Sequence, residues 1–397
     1  MPFDPSSREA EAQAEIAATR LGRGVAGALV AGFLVLLALG PLFELGAAVQ
    51  DDSKVFVRFD AAAESRAGLR GALARTRERF LEIEARFDER SALVRLVRPP
   101  TQELLTRAAG YGNERALVGR DGWLYFRDDV EHLVSRQPGA ELAGDPEAAI
   151  RAFRDALARR GIALVVVPTP LKPTVHPERL APRAAAPVRR AGEAELLASV
   201  AVDGVEIVDL ADRFARDAEL APLFLATDTH WRPEAVEIAA REIALRLREI
   251  AELPAGEPAG WRETPARVEG RGDTAALLDL APGSRLFPRE PVEIRAVEPA
   301  SPKPVRGRAP VLLLGDSFSA MYSVGELGWG RNAGLADRLA FQLGLPVDRI
   351  VRNAGGASAT REALARELAA NPTRLDGVRV VVWQFAAREL SQGSWKE

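Results

Sequence analysis

The sequence predicts an α/β protein whose mainly parallel sheet is carried behind an N-terminal transmembrane helix and a helical stalk. Three observations predict it. Residues 24–43, GVAGALVAGFLVLLALGPLF, hold no charge. Residues 59–97 place Leu73, Phe80, Ile83 and Phe87 at helical spacing among many Arg and Glu. From residue 146 onward, short apolar runs alternate with helical patterns, the signature of strands joined by helices that cover both faces of a parallel sheet. With 397 residues, 47% of them hydrophobic, the chain can bury a substantial core. Its formal charge of -3 and its lack of a Lys/Arg block exclude the electrostatic footprint of a nucleic-acid binder.

At about 1.5 Å per helical residue the uncharged run reaches the roughly 30 Å of a bilayer core. Arg20 and Arg23 precede it and Asp51 and Asp52 follow, so the positive-inside rule puts residues 1–23 in the cytoplasm. Residues 24–49 are expected to be a signal anchor that leaves everything after Val49 outside the cytoplasm, 50–113 a helical stalk whose amphipathic pattern stops at Pro99-Pro100, and 114–397 the folded domain. A cleaved signal peptide is the alternative, against which stand the length of the run and the lack of a clear A-x-A site. The chain has no Cys, and a domain of this size needs no disulfide staples outside the cytoplasm.

ALVGRDGWLYF, from Ala116, reads as two short strands around an Asp-Gly hairpin turn. The alternation then runs helix 146–159, strand 163–167, helix 190–200, strand 205–210 and helix 233–253. After a less regular stretch to Pro304 come strand 311–314, helix 334–343, strand 349–352, helix 359–370 and strand 378–383.

VLLLGDSFSA places Ser317 just past the end of a strand, where ligands of open α/β sheets bind. Gly315 permits a sharp turn, and the backbone N–H groups around Gly315 to Ser317 could hold an oxyanion. Taken alone, Gly-Asp-Ser is a common turn, so a nucleophile needs a base. The chain has three His. His132 in RDDVEHL reads as an exposed helical position and His176 in TVHPER as a loop residue, both solvated or structural. In LATDTHWRP, Asp228 and His230 are two apart in what reads as an extended segment, which puts both side chains on one face. Asp228 could then orient the imidazole of a general base, or cap the helix opened by Pro233. No second His or Cys stands at ligand spacing, so no metal is expected.

DTHWRP followed by VLLLGDSFSAMYS, with ALVGRDGWLYF upstream and VVWQFAAREL at the end, resembles the AlgJ/AlgX-type alginate (exopolysaccharide) O-acetyltransferase family over roughly residues 114–390. The resemblance implies an SGNH-hydrolase-like three-layer fold, with the Asp and His ahead of the nucleophile rather than after it as in most SGNH enzymes. It implies Ser317 as nucleophile, His230 as general base and acid, and Asp228 as orienter. Gly315, Asn353 and Gly355 are candidate oxyanion or substrate contacts, although VRNAGGAS departs from the G-x-N-D pattern. Lys172, in VPTPLKPTVHPE, is a further candidate contact or a solvated loop cation. Trp383 and Arg388 are expected to pack the last strand and its exit, and Met321 and Tyr322 to pack the nucleophile helix.

The activity implied is a membrane-anchored periplasmic transferase that passes acetyl through an acetyl-Ser intermediate to hydroxyls of an exopolysaccharide, of the alginate or cellulose type. No cofactor is expected. The acetyl donor would be a multi-spanning membrane acyltransferase of the MBOAT type. The alternatives are a carbohydrate acetylesterase and a non-catalytic glycan-binding or scaffold subunit of an export complex.

Overall fold

The computed structural model describes residues 23–50, 91–135, 142–257, 260–300, 309–353 and 355–395. The chain divides into two compact units, Met1–Thr101 and Gln102–Glu397. In the first, α1 (Arg23–Gln50) is a 28-residue helix, and its Val25, Leu29, Val30, Phe33 and Leu34 are exposed. Counting described residues alone, no helix presents an apolar stretch long enough to cross a membrane, so the anchor reading of α1 rests on the sequence. The stalk reading for residues 51–90 lies outside the described residues.

One sequence expectation needs correction. Helix α2 (Ala92–Ala109) does not stop at Pro99-Pro100 but runs through both. Each proline removes an N–H, so the carbonyls of Arg95 and Leu96 lose their helical donors. The far half is held instead by side chains: Gln102 Nε2 donates to the Tyr111 and Gly112 carbonyls at 3.1 and 3.0 Å, and Thr106 Oγ1 to Tyr111 at 2.8 Å.

In the second unit, β1 (Ala116–Val118) and β2 (Leu124–Phe126) form the expected antiparallel hairpin, with Asp121 and Gly122 at φ 54° and 79° in its turn. There follow α3 (Arg127–Val134), β3 (Ala143–Gly144), α4 (Pro146–Ala158), β4 (Ala163–Thr169), α5 (Lys172–Val175), α6 (Glu193–Val202), β5 (Glu206–Ile207), α7 (Ala211–Ala218) and α8 (Pro233–Ile250). Next come β6 (Trp261–Gly270), α9 (Asp273–Leu277), β7 (Glu290–Pro299), β8 (Val311–Gly315), α10 (Ser317–Ala320), α11 (Leu335–Leu343) and β9 (Val347–Val351). The chain closes with α12 (Gly356–Ala370), β10 (Val380–Ala386), α13 (Glu389–Gln392) and β11 (Ser394–Trp395).

The central sheet has the order β5-β4-β10-β8-β9, and all four pairings are parallel. Strands β8 and β10 are buried along their whole length, which is why they read as unbroken apolar runs. Alternate residues serve opposite faces. Val165, Leu313 and Val382 join α8 and α11 in one core, where α8 supplies Ala235, Ala239, Ile243 and Leu247 at helical spacing. Leu164, Leu312 and Trp383 join α4, α6 and α12 in the other. At about 1.5–3 kcal/mol for each large side chain removed from water, these two cores dominate the stability of the domain.

The stretch expected to be irregular, 253–304, instead contains an antiparallel ribbon in which β6 pairs with β7 from Trp261↔Pro299 to Gly270↔Glu290. Pro265 lies inside β6, and a mid-run proline argues against a strand. The ribbon is a separate two-stranded sheet, so that proline interrupts no central ladder.

Candidate active site

The nucleophile loop is built at the carboxyl end of β8. A Cβ on Gly315 would collide with the Ser319 side chain and approach Gln384 Oε1 to 3.1 Å, so only glycine lets the chain fold back here. Asp316 caps α10: its Oδ1 accepts the Phe318 N–H at 2.9 Å and its Oδ2 the Ala386 N–H at 2.7 Å. Gln384, buried in β10, completes the clamp. Its Nε2 donates to Asp316 Oδ1 and Thr169 Oγ1, both at 2.9 Å, and its Oε1 accepts from Ser319 Oγ at 2.5 Å and Asp316 N at 3.2 Å. Ser317 is therefore the first residue of a short helix held by three strands, and it is half-buried.

Asp228 and His230 meet, but not through the extended segment that the sequence suggested. The bridge Phe224↔Trp231 and the bond from Leu225 N to His230 O (3.2 Å) close a tight turn. Within it Asp228 Oδ1 accepts both the backbone N–H of His230 at 2.9 Å, as Asp side chains do in turns, and its Nδ1 at 2.6 Å. Trp231 then docks this turn on the nucleophile helix: its Nε1 donates to the Phe318 carbonyl at 3.0 Å, and Tyr322 Oη donates back to the Trp231 carbonyl at 2.9 Å. The His230 ring lies 4.8 Å from the Phe318 ring.

His230 Nε2 is buried and has no hydrogen-bond partner among the described residues, so no bond joins it to Ser317 Oγ. The structure thus couples Asp228 to His230 and packs His230 on the neighbour of Ser317. Burial lowers the proton affinity of His230, but the carboxylates of Asp228, Asp273 and Asp316 outweigh it and raise its pKa from 6.5 to about 9. Burial raises that of Asp228, yet His230 and two backbone N–H groups bring it down to about 2.

Asp273, the first residue of α9, was not singled out by the sequence. Its Oδ1 accepts the Thr229 N–H at 2.8 Å, its own N–H donates to Asp228 Oδ2 at 3.0 Å, and its Oδ2 lies 3.5 Å from His230 Nδ1. The only available cue was an Asp at a helix start after a Gly, in GRGDTAALL. Ligand atoms of Asp228, His230 and Asp273 lie within 4.8 Å of one another and could hold a cation, but Nδ1 would first have to give up its bond to Asp228.

Lys172 is not a solvated cation. It is fully buried, and its Nζ donates to the carbonyls of Leu124, Ala226 and Asp228 at 2.5, 2.8 and 3.1 Å, beneath the rings of Trp123 and Tyr125. With three protons spent on backbone, none remains for substrate; the residue holds the Asp228 turn. Burial lowers its pKa to about 7 against the pull of Asp228 and three other carboxylates. Arg352 N bonds the Gly315 carbonyl at 3.0 Å, so the loop of Asn353 and Gly355 leaves the sheet beside the nucleophile loop. Asn353 is exposed, and Gly355 takes φ 97° ahead of α12.

Of the two readings given for the remaining His, solvated or structural, the structural one holds: both are buried against distant partners, and the exposed position expected for His132 is corrected. His132 Nδ1 meets Ser391 Oγ at 2.6 Å and its Nε2 meets Glu193 at 3.0 Å. His176 Nε2 accepts the Leu223 N–H at 3.1 Å. Met321 and Tyr322 pack as expected. Trp383 stacks edge-on with Phe153, Phe385 and Trp395, and Arg388 binds buried Asp129 at 2.7 Å.

Residues 116–387 match the family described as SGNH hydrolase-like domain, acetyltransferase AlgX. The chain belongs to this AlgX acetyltransferase family. The probable alginate O-acetylase AlgJ of Pseudomonas aeruginosa is 26% identical over 342 residues, which are 85% of this chain and 84% of that protein. Among solved structures, the O-acetyltransferase domain of Pseudomonas putida AlgJ is similar with a TM-score of 0.53 at 23% identity, over 70% of this chain and 93% of that one. Pseudomonas aeruginosa AlgX gives 0.51 at 21% identity, over 70% and 66%. At these identities the two structures speak for the fold, a parallel-sheet SGNH-like α/β domain.

Proposed function

We propose that this chain is an O-acetyltransferase acting on an alginate-type exopolysaccharide, with Ser317, His230 and Asp228 as its triad. The observation that carries the reading is the buried, unpartnered Nε2 of His230, on a ring whose other nitrogen is held by Asp228 at 2.6 Å. A buried ring nitrogen without a partner costs free energy, and a reacting proton would relieve that cost. The match of residues 116–387 to an acetyltransferase family and the relatives' names as alginate O-acetylases support the reaction class and the acceptor.

In the first half-reaction Ser317 Oγ attacks the acetyl carbonyl of a donor ester. Nε2 takes the hydroxyl proton, the tetrahedral oxyanion forms, and the donor C–O bond breaks as His230 returns the proton to the leaving alkoxide. The backbone N–H of Ser317 is the proposed oxyanion donor, because the N–H that the Asp316 cap accepts in α10 is that of Phe318. In the second half a sugar hydroxyl gives its proton to His230 Nε2 and attacks the acetyl-Ser carbonyl; the Ser317 Oγ–acetyl bond then breaks as His230 returns that proton to Ser317 Oγ.

The donor is proposed to be a multi-spanning membrane acyltransferase of the MBOAT type, with α1 as an inner-membrane anchor that keeps the periplasmic domain beside it. The uncharged run 24–43 and the Arg and Asp residues that flank it support this placement. The test is transfer from a chromogenic acetyl ester to deacetylated alginate oligomers. Wild type should acetylate the oligomer, and Ser317→Ala should lose at least about 1,000-fold of that rate. Equal rates for the two would refute the assignment, and acetate release that ignores added oligomer would make the protein an esterase.

A further inference from the structure

Asp273 touches each residue of the Asp228-Thr229-His230 turn in a different way. It gives its N–H to the Asp228 carboxylate, receives the Thr229 N–H on Oδ1, and presents Oδ2 to His230 Nδ1 at 3.5 Å. One imidazole N–H can bond only one oxygen well, and Asp228 takes it at 2.6 Å. The second carboxylate therefore acts on His230 through its charge and lies one small shift from taking over the bond. Its side chain is 40% exposed, whereas that of Asp228 is 3% exposed, and Asp228 is kept ionised by His230 and two backbone N–H groups. Among the described residues no hydrogen bond claims this oxygen: Thr229 N–H and Thr274 Oγ1 are both satisfied by Oδ1.

We infer that Asp273 is a second acidic partner of His230, a positioning residue that holds the catalytic turn, strengthens the imidazole as a base, and replaces Asp228 as acceptor of Nδ1–H when Asp228 is removed. This rests on the proposed role of His230 as general base. The other charges facing the ring are Asp228 in the same turn and Asp316 at the nucleophile loop. Lys172 beneath the turn feels Asp228, Glu290, Asp273 and Asp129. Burial raises the pKa of Asp273 to about 6, with the Asp228 charge adding to it, so its contribution to His230 grows as the pH rises through that value. It then fades as His230 itself deprotonates.

The experiment is NMR titration of isotope-labelled histidine in wild type and Asp273→Asn; with three His in the chain the resonances can be assigned by substitution. The midpoint of His230 should fall by at least about 0.5 pH unit in Asp273→Asn, since a negative charge near the ring has gone, and return toward wild type in Asp273→Glu. An unmoved midpoint overturns the inference. The readout needs no turnover, so it stands apart from the transferase reading, whose failure would appear as a wild type inert toward acetyl esters. In kinetics, Asp273→Asn should lower kcat several-fold more than it raises KM. Asp228→Asn/Asp273→Asn should fall below the product of the two single effects, and simple multiplication of those effects would contradict the replacement role. Asn keeps an acceptor for Thr229 N–H, so the fold should survive. Were Asp273→Asn to fail a melting test, the comparison would pass to Asp273→Glu, for which a midpoint moved down rather than held would overturn the inference.

Discussion

Replacing Asp228 with Asn alters the acid–base pair while leaving its size nearly unchanged. The carboxylate accepts three N–H groups: His230 Nδ1 at 2.6 Å, His230 N at 2.9 Å and Asp273 N at 3.0 Å. An amide has one oxygen for these donors and turns two N–H of its own toward one side. The Asp273 N–H loses its acceptor, or the imidazole is forced into the tautomer with its proton on Nε2, where it cannot accept from Ser317, or Nδ1–H passes to the more distant Asp273 Oδ2. The charge also matters. Moving the proton affinity of His230 from 6.5 to about 9 corresponds to about 3 kcal/mol in favour of the imidazolium, at roughly 1.4 kcal/mol per tenfold change. Most of that is lost with the Asp228 charge, and burial then pulls His230 downward. The expected result is a fall in kcat of about 1,000-fold, within the range seen when the acid of a Ser-His-Asp triad becomes an amide. The sign of the pH effect is fixed too. A general base must be neutral, so wild-type kcat/KM should rise with pH through about 9, whereas in Asp228→Asn the limb should move to lower pH. The assay is initial-rate acetyl-ester turnover from about pH 5 to about pH 10. A loss of less than tenfold, or a limb that stays in place, would refute the reasoning.

Two further predictions concern the scaffold of the site. Lys172→Met leaves the carbonyls of Leu124, Ala226 and Asp228 without their donor. At about 1–3 kcal/mol for each buried group stranded, a denaturant titration should show a loss of at least about 3 kcal/mol, and a loss under about 1 would contradict the rivet role. Gly315→Ala drives a methyl into Ser319 and Gln384. It should cost about 1–3 kcal/mol and depress turnover by shifting Ser317, and a melting temperature and kcat equal to wild type would show that the loop has room to give.

How far these features could be read beforehand depends on the range of the interactions that make them. The central sheet was legible because VLLLG and VVVWQFA are buried on both faces and so carry unbroken apolar runs. The β6–β7 ribbon was not, since Pro265 and alternating Arg and Glu disguise strands whose partners are set by tertiary context. Asp228 and His230 were legible as a pair two residues apart, although a side-chain-capped turn, not an extended strand, brings them together. The burial of His132 was hidden because Ser391 lies 259 residues away. The burial of Lys172 was hidden because its acceptors are backbone oxygens at least 48 residues distant, which no side-chain motif announces. Asp273 stands 45 residues from Asp228 on a five-residue helix, and only the folded chain shows that it reaches all of the turn.

The most direct measurement is the location of the transferred group. After brief reaction with an activated acetyl ester and acid quench, peptide mass spectrometry should find the mass of one acetyl group on the peptide containing Ser317, at that side chain, and find it gone when an alginate oligomer is added before the quench. An acetyl group on a different residue, or none in a protein that still transfers acetyl, would contradict the account.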